Sequence, residues 1–361
     1  MKIAQARPAP DLASPGTRAG LVSSPAPGDG VPDHDLPLHR DPRHLLGLEG
    51  LDRAEILALL DTAETCRARL RAGGMPFDDL RGVTVLLGFF EDSTRTRVSF
   101  ELAARHLGAT VTTLTTAGSA LSKGESLYDT VQNVRAMGVD LVVVRHMASG
   151  APYFLARHLD VGVINAGDGR HEHPTQGLLD LMTLRDAWQG RFEGRRLALV
   201  GDIAHSRVAR SAIFGLRALG ASVTIVGPRT LLPAGVEGLG CTLAATVEEA
   251  MEGADAVMAL RLQRERMDGG LLPSLGEFSR VWGLTPERVR LMNRDAVVLH
   301  PGPMNRGVEV TAEVADSERS VILDQVQNGV ALRCAVLARC AAARPVRGFA
   351  RGAIRPDAEV A

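Results

Sequence analysis

The stretch VTVLLGFFEDSTRTRVSFELAARHLG, residues 83–108, predicts a buried strand that leads directly into a helix. Its first eight residues form a nearly continuous apolar run, which is typical of a strand covered on both faces of a parallel sheet. Ser93 and Thr94 are favoured residues for the start of a helix, and apolar residues beyond them recur at helical spacing. This pattern predicts an α/β fold with a polar turn at the end of a strand.

The same alternation of apolar runs and helical patterns continues to residue 343. We predict further strands at residues 109–114, 140–145, 161–165, 196–200, 222–226, 256–260 and 296–300. We predict helices at residues 51–71, 97–107, 127–137, 174–188, 206–219 and 322–342. Strands and helices that alternate in this way indicate parallel sheets flanked by helices.

Glycines interrupt the pattern near the middle of the chain, at Gly190 and Gly194. We therefore expect two domains, residues 38–188 and residues 189–321, each a parallel sheet flanked by helices. Each is long enough to bury a core of its own.

The two ends of the chain differ from this body. Residues 1–37 contain seven of the 19 prolines and few large apolar side chains. Such a segment buries too little surface to offset the entropy of ordering it. We expect a disordered arm there and a flexible tail at residues 344–361.

Charge, hydropathy and cysteine content argue against several classes of protein. The 41 lysines and arginines almost balance the 42 aspartates and glutamates, whereas proteins that bind nucleic acid by bulk charge concentrate positive charge. No apolar run approaches the roughly 18 residues of a membrane helix, and the first residues lack the apolar core of a secretion signal. Four cysteines without a CxxC pair favour reduced thiols in a cytoplasmic protein.

Polar residues that follow the predicted strands suit the binding of anions. The hydroxyls of Ser93, Thr94 and Thr96 flank Arg95 at the start of a helix, where free backbone amides and the helix dipole bind phosphate. An ordinary capped and solvated turn is the alternative interpretation. The later turn GDIAHSR, residues 201–207, lacks the GxGxxG spacing, so a dinucleotide site is only a weak alternative there.

Six motifs, taken in order, resemble those of the aspartate and ornithine carbamoyltransferases. They are FEDSTRTRVSFE at 90–101, SALSKGES at 119–126, Arg145-His146, HPTQ at 173–176, RLQ at 261–263 and HPGP at 300–303. The resemblance extends over residues 38–343. It implies that the first domain binds carbamoyl phosphate, that the second binds the amino acid, and that the C-terminal helix, residues 322–343, packs back on the first domain.

The second substrate separates the two branches of this family. Ornithine enzymes are expected to carry Ser-Met-Gly and His-Cys-Leu-Pro segments where this chain has RLQ and HPGP. An arginine after a strand also suits a dicarboxylate better than a cationic side chain. The resemblance therefore implies carbamoyl transfer from carbamoyl phosphate to the α-amine of L-aspartate, the committed step of pyrimidine (UMP) biosynthesis. No cofactor is expected, and no metal, because His171 and His173 are too sparse for a ligand cluster.

The resemblance also implies a role for each residue of the motifs. Carbamoyl phosphate is expected to contact Ser93, Thr94, Arg95, Thr96, Arg145, His173, Gln176, Gly302 and Pro303. The catalytic residues of this set, which polarise the carbonyl group, are expected to be Arg95, Thr96, Arg145 and His173. Aspartate is expected to contact Lys123, Arg207, Arg261 and Gln263.

Several of these residues also have an alternative interpretation when taken singly. Arg145 could be a surface residue, His173 a capping or structural group, and Lys123 a solvated loop residue. Arg207 and Arg261 could form exposed salt bridges.

Ser119 and Lys123 belong to the polar loop of the second motif. In this family the equivalent loop reaches the active site of a neighbouring subunit, which implies a homotrimer. Lys123 is also one of only two lysines in the chain, the other being Lys2. A larger assembly with a regulatory or dihydroorotase-like chain stays open, and no nucleic-acid or membrane partner is expected.

Three alternative functions remain compatible with the sequence. The nearest is an ornithine carbamoyltransferase, and the next is a carbamoyltransferase with another amino acceptor. A non-catalytic anion-binding scaffold is the alternative from a different class, although the full set of motif residues is present.

Overall fold

The computed structural model describes residues 38–115, 127–263, 271 and 274–344. The predicted arm at residues 1–37, the loop that holds Ser119 and Lys123, and the tail beyond residue 344 lie outside the described residues.

Two parallel sheets form the framework of the described part. The first, in the order β2-β1-β3-β4, contains β1 (Thr84–Phe89), β2 (Thr110–Thr115), β3 (Leu141–His146) and β4 (Gly162–Asp168). The second, in the order β7-β6-β5-β8-β9, contains β5 (Arg196–Val200), β6 (Ser222–Val226), β7 (Thr242–Leu243), β8 (Ala256–Ala259) and β9 (Val297–Leu299). The paired strands of both sheets run parallel, so the predicted α/β fold is confirmed.

Helices flank both sheets. They are α1 (Arg53–Ala72), α2 (Thr94–His106), α3 (Leu127–Ala136), α4 (Ala151–His158), α5 (Pro174–Ala187), α6 (Arg207–Ala218), α7 (Val247–Met251), α8 (Leu275–Trp282), α9 (Pro286–Val289), α10 (Ala312–Ala315) and α11 (Ile322–Ala342). Within the described ranges, none of them combines the length and the apolar character that a membrane crossing needs.

Helix α2 begins earlier than predicted, at Thr94 instead of residue 97. Ser93 has an extended backbone and occupies the N-cap position. The polar segment that follows Ser93 is therefore helical, because a helix can start at once after a residue of this kind. As a result Thr94, Arg95 and Thr96 lie in the first turn of α2.

The C-terminal helix α11 packs against α1, α2 and α5. In the chain, α1 precedes β1, α2 follows β1, and α5 follows β4. The last helix therefore returns to the helices of the first sheet, as predicted. It carries three polar side chains into this buried position: Gln325, Asn328 and Arg333.

Helix α5 lies between the two halves of the fold. It packs against α11 on one side and α6 on the other, and its residues from Pro174 to Leu184 are all buried. Its N-terminal residues are therefore held by packing on several sides, which fixes the position of any side chain they direct into a site.

In both sheets the strand order reverses between two adjacent strands. The chain passes from β1 to β2 on one side and then to β3 on the other; it likewise places β6 and β8 on opposite sides of β5. Ligands of open parallel sheets bind beyond the carboxyl ends of the strands at such a reversal. The segments after β1, β3, β5 and β8 are thus the expected place for a site.

Candidate active site

One cavity of about 550 Å³ is lined by residues that follow strands of both sheets. This volume suits a small-molecule site. The predicted site residues on its wall are Ser93, Thr94, Arg95, Thr96, Arg145, His173, Gln176, Arg207, Arg261, Gln263, Gly302 and Pro303. Every predicted site residue within the described ranges therefore lines the same cavity; Ser119 and Lys123 lie outside those ranges.

The first turn of α2 forms one end of the cavity. The hydroxyl of Ser93 makes no capping hydrogen bond to this helix, although Ser93 is its N-cap residue. The backbone amides of the first turn have no partner within a helix, and the helix dipole favours a negative charge beside them. Together with the buried side chain of Thr96, this turn suits the binding of a phosphate group.

Arg95 and Arg261 bring two positive charges to the same region from different sheets. Partial burial and the charge of Arg261 lower the pKa of Arg95, and no carboxylate among the described residues pairs with Arg95. Gly302 lies directly beside this guanidinium. Its φ is +65°, and a Cβ atom there would come within 2.5 Å of Nη1 of Arg95. The positive φ and this close approach favour a glycine where the loop after β9 meets the arginine.

Glu91 joins two further arginines of the cavity. Nη2 of Arg145 donates to Oε1 of Glu91 at 2.8 Å, while Nη1 and Nη2 of Arg207 donate to the two oxygens of Glu91 at 2.9 and 2.5 Å. Gly167 makes this cluster possible, because its φ is +113° and a Cβ atom there would lie 2.9 Å from Nε of Arg207. One carboxylate thus links an arginine of the first sheet to an arginine at the start of α6.

His173 and Gln176 enter the cavity from the start of α5. His173 is the N-cap residue and Pro174 the first helical residue, the position that proline favours. The backbone N–H of His173 donates to Oγ of Ser211 on α6 at 2.9 Å. Ser211 in turn donates to the buried carboxylate of Glu172 at 2.7 Å. The histidine is therefore anchored through its backbone.

The loops after β8 and β9 form the remaining wall. Nη2 of Arg261 donates to Oε1 of Gln263 at 3.3 Å. The backbone N–H of Gly302 donates to Nδ1 of His300 at 2.8 Å. Burial, with the charges of Arg95 and Arg261, lowers the pKa of His300 to about 3. His300 is consequently neutral, and its proton resides on Nε2.

Several residues that line the cavity lie outside the roles predicted from the sequence. They are Glu91, Ser99, His300, Gln325 and Arg333. Glu91 could have been noticed in the sequence, because it is an acidic residue at the end of a predicted strand, next to arginines that suit the binding of anions. The sequence did not indicate a role for Gln325 or Arg333, because both lie on the C-terminal helix and outside the six motifs.

A group of three side chains elsewhere in the described part has atoms close enough to share a metal ion. Ligand atoms of Glu49, His171 and Glu172 lie within 4.8 Å of one another. However, Glu172 already accepts hydrogen bonds from the backbone of Leu48 and Glu49 and from Ser211. Both oxygens of Glu172 are therefore already engaged in hydrogen bonds that join separate segments of the chain.

Two family models match the chain over most of its length. Residues 43–186 match the model described as aspartate/ornithine carbamoyltransferase, carbamoyl-P binding domain. Residues 193–340 match the companion model for the Asp/Orn binding domain. The chain belongs to the aspartate/ornithine carbamoyltransferase family.

Similar members of this carbamoyltransferase family include proteins of both branches. The aspartate carbamoyltransferase catalytic subunit of Sorangium cellulosum is 56% identical over 295 residues, which cover 82% of this chain and 92% of that protein. The aspartate transcarbamoylase of Trypanosoma cruzi, crystallised with N-(phosphonacetyl)-L-aspartic acid, has a TM-score of 0.73 at 30% identity and covers 81% of this chain and 94% of its own. The ornithine carbamoyltransferase of Thermus thermophilus has a TM-score of 0.73 at 28% identity, and the match covers 83% of this chain and 99% of that protein.

Similarity of fold does not separate the two branches of the carbamoyltransferase family, because the TM-scores of the two crystal structures are equal. Sequence identity does favour one of them. Proteins named as aspartate carbamoyltransferase catalytic subunits are 50 to 56% identical to this chain. Arg261 and Gln263 of the RLQ motif, which resembles the aspartate branch, also line the cavity.

Proposed function

We propose that the chain is an aspartate carbamoyltransferase. It transfers the carbamoyl group of carbamoyl phosphate to the α-amine of L-aspartate and releases N-carbamoyl-L-aspartate and phosphate, the committed step of pyrimidine (UMP) biosynthesis. Four arginines converge on one cavity and support this function, two from segments of each sheet: Arg95, Arg145, Arg207 and Arg261. The two substrates bring about four negative charges, which need compensation when they leave water.

The anion site at α2 suits the phosphate of carbamoyl phosphate. Ser93, Thr94 and the first-turn amides hold its oxygens, and the guanidinium of Arg95 neutralises its charge. Gln176, Gly302 and Pro303 contact the carbamoyl group. The carbon that reacts then lies beside the donors of Thr96, Arg145 and His173.

The reaction needs donors aimed at the oxygen that becomes negative. The α-amine attacks the carbonyl carbon, a C–N bond forms, and the electron pair of the C=O bond moves to oxygen. Arg95, Thr96, Arg145 and His173 stabilise this oxyanion without rearranging, which is the largest contribution that such a site makes. The C–O bond to phosphate then breaks, and the departing phosphate accepts the amine proton.

The other end of the cavity suits the dicarboxylate. Arg207, Arg261 and Gln263 lie there, and Lys123 joins them from a neighbouring subunit. Because Glu91 already binds Arg207, an incoming carboxylate has to share this guanidinium with it. Closure of the two sheets around both substrates excludes water and strengthens every charge interaction.

A bisubstrate ligand tests whether the two ends bind one molecule together. N-(phosphonacetyl)-L-aspartate is expected to bind one site per chain in calorimetry. The Arg261→Ala variant is expected to weaken that binding by about 10- to 100-fold, the loss typical of a charged hydrogen bond. Arg290→Ala is the matched control, since Arg290 lies at the surface of the same half. Absence of binding, or equal Kd values for wild type and Arg261→Ala, would contradict the proposal.

We infer that the active form is a homotrimer in which Ser119 and Lys123 complete the site of the next subunit. Support comes from the family resemblance of the loop SALSKGES. The cysteine pattern favours a cytoplasmic enzyme. Analytical ultracentrifugation of the active enzyme is expected to give a trimer or a multiple of it; a fully active monomer would overturn the shared site.

A further inference from the structure

A buried carboxyl group behind the cavity has no part in the roles described so far. Asp180 lies on α5, one turn after Gln176, and only 2% of its surface is exposed. Its Oδ1 accepts two hydrogen bonds, from Nε2 of Gln176 at 2.9 Å and from Nε2 of Gln325 at 2.7 Å. Its Oδ2 is buried and meets no hydrogen-bond partner among the described residues.

These contacts determine which atom Gln176 presents to the cavity. A side-chain amide has one end that only donates and one that only accepts. Since the NH₂ group of Gln176 is bound to Asp180, the carbonyl oxygen Oε1 is the end left for the cavity that Gln176 lines. An acceptor in this position recognises a ligand that carries N–H groups.

The same carboxyl oxygen orients a second amide. Gln325 donates its NH₂ group to Asp180, and its Oε1 accepts from the backbone N–H of His300 at 3.0 Å. His300 in turn accepts from the backbone of Gly302. Asp180 is therefore connected both to Gln176 and to the loop that carries Gly302, and both line the same cavity.

The acceptor at Oδ1 does not require a negative charge on Asp180. Burial raises the pKa of this carboxyl to about 7, although the hydrogen bonds of Gln325 and Gln176 oppose the shift. Because Oδ1 accepts two hydrogen bonds, a bound proton resides on the other oxygen, Oδ2. Arg333 is the buried cation that faces the group, and it donates to Oγ of Ser99 and to the backbone of Gly329.

We propose that Asp180 is a positioning residue that fixes the amide of Gln176 with its carbonyl oxygen toward the substrate, and so makes the site select carbamoyl phosphate over acyl phosphates. The inference rests on the proposed function in taking carbamoyl phosphate as the first substrate. A carbamoyl group presents two N–H donors where an acetyl group presents a methyl group. A site built around an acceptor discriminates strongly against a ligand that leaves this acceptor unpaired.

Two stable phosphonates isolate this contact, because phosphonoacetamide and acetonylphosphonate differ only in NH₂ against CH₃. Calorimetry on the wild type is expected to give a Kd for phosphonoacetamide that is lower by about 10-fold or more. Asp180→Val removes the acceptor for Gln176, and the preference is expected to fall to about threefold or less as the amide turns freely. Asp180→Asn keeps an oxygen that accepts both bonds, so the preference is expected to persist.

Thr183→Val provides the matched control. Thr183 lies one turn further along α5 and accepts from Nδ2 of Asn328 on α11 at 3.0 Å, but it does not line the cavity. This variant breaks a buried polar contact between the same two helices. We expect a lower midpoint of thermal unfolding and an unchanged preference between the two phosphonates.

Three results would overturn the role of Asp180: equal binding of the phosphonates by wild type, a folded Asp180→Val variant that keeps the preference, or loss of the preference in Asp180→Asn. The wild-type and Asp180→Asn measurements apply even where Asp180→Val fails to fold. Binding of the phosphonates does not involve the second substrate. An enzyme that shows this pattern but carbamoylates no aspartate would therefore disprove the proposed function and leave the role of Asp180 intact.

Discussion

At the scale of single residues, Arg95 has two properties that suit an anion site: its position in a helix and its uncompensated charge. It lies in the first turn of α2, where backbone amides are available, and no carboxylate of the described residues neutralises it. The lowered pKa of its guanidinium reflects partial burial beside Arg261. A bound phosphate would offset the charge of Arg261 and pair with the guanidinium of Arg95.

Replacement of Arg95 is expected to affect chemistry much more than folding. Arg95→Ala removes a donor from the developing oxyanion and is expected to lower turnover by about 100-fold or more. Arg97→Ala is the control, because Arg97 lies in the same helix but outside the cavity lining. Steady-state kinetics and thermal unfolding of both variants provide the measurement. Near wild-type turnover in a folded Arg95→Ala variant would remove Arg95 from the catalytic set.

Residue types at strand ends could be predicted from the sequence, but their partners could not. The predicted cationic residues belong to recognisable motifs, and those within the described ranges all line one cavity. The bridge from Glu91 to Arg145 and Arg207 depends on distances across 54 and 116 positions of the chain. No local pattern encodes such a distance.

At the scale of elements, long apolar patterns were predictable and short elements were not. The predicted strands at residues 196–200 and 222–226 agree with β5 and β6 at both ends. The unpredicted β7 has two residues, and α7, α9 and α10 have four or five. Segments this short carry too little periodicity, and the surrounding packing decides their conformation.

Helix α11 was predicted as a helix, but its contribution to the cavity was not. Its apolar residues identify the face that packs on α1 and α5, whereas Gln325 and Arg333 interrupt that pattern. Polar residues in a buried helix indicate a satisfied network or a site. Only the fold reveals that they reach Asp180 and Ser99.

At the scale of the whole molecule, the reversals of strand order explain why one cavity serves both sheets. Arg95 and Arg145 follow or end the adjacent strands β1 and β3, while Arg207 and Arg261 follow the adjacent strands β5 and β8. The class of fold and the carboxyl ends of its strands were predictable. How closely the two sheets approach was not, because the packing of α5 against α6 sets it.

A comparison of two acceptor amino acids tests directly whether the cavity holds carbamoyl phosphate and L-aspartate together. Purified enzyme receives carbamoyl phosphate with either L-aspartate or L-ornithine, and mass spectrometry identifies the product while phosphate release gives the rate. We expect N-carbamoyl-L-aspartate, with turnover on L-ornithine slower by about 100-fold or more, since arginines of the cavity repel a cationic side chain. Faster carbamoylation of L-ornithine, or of neither amino acid, would contradict the claim that this cavity holds carbamoyl phosphate and L-aspartate together.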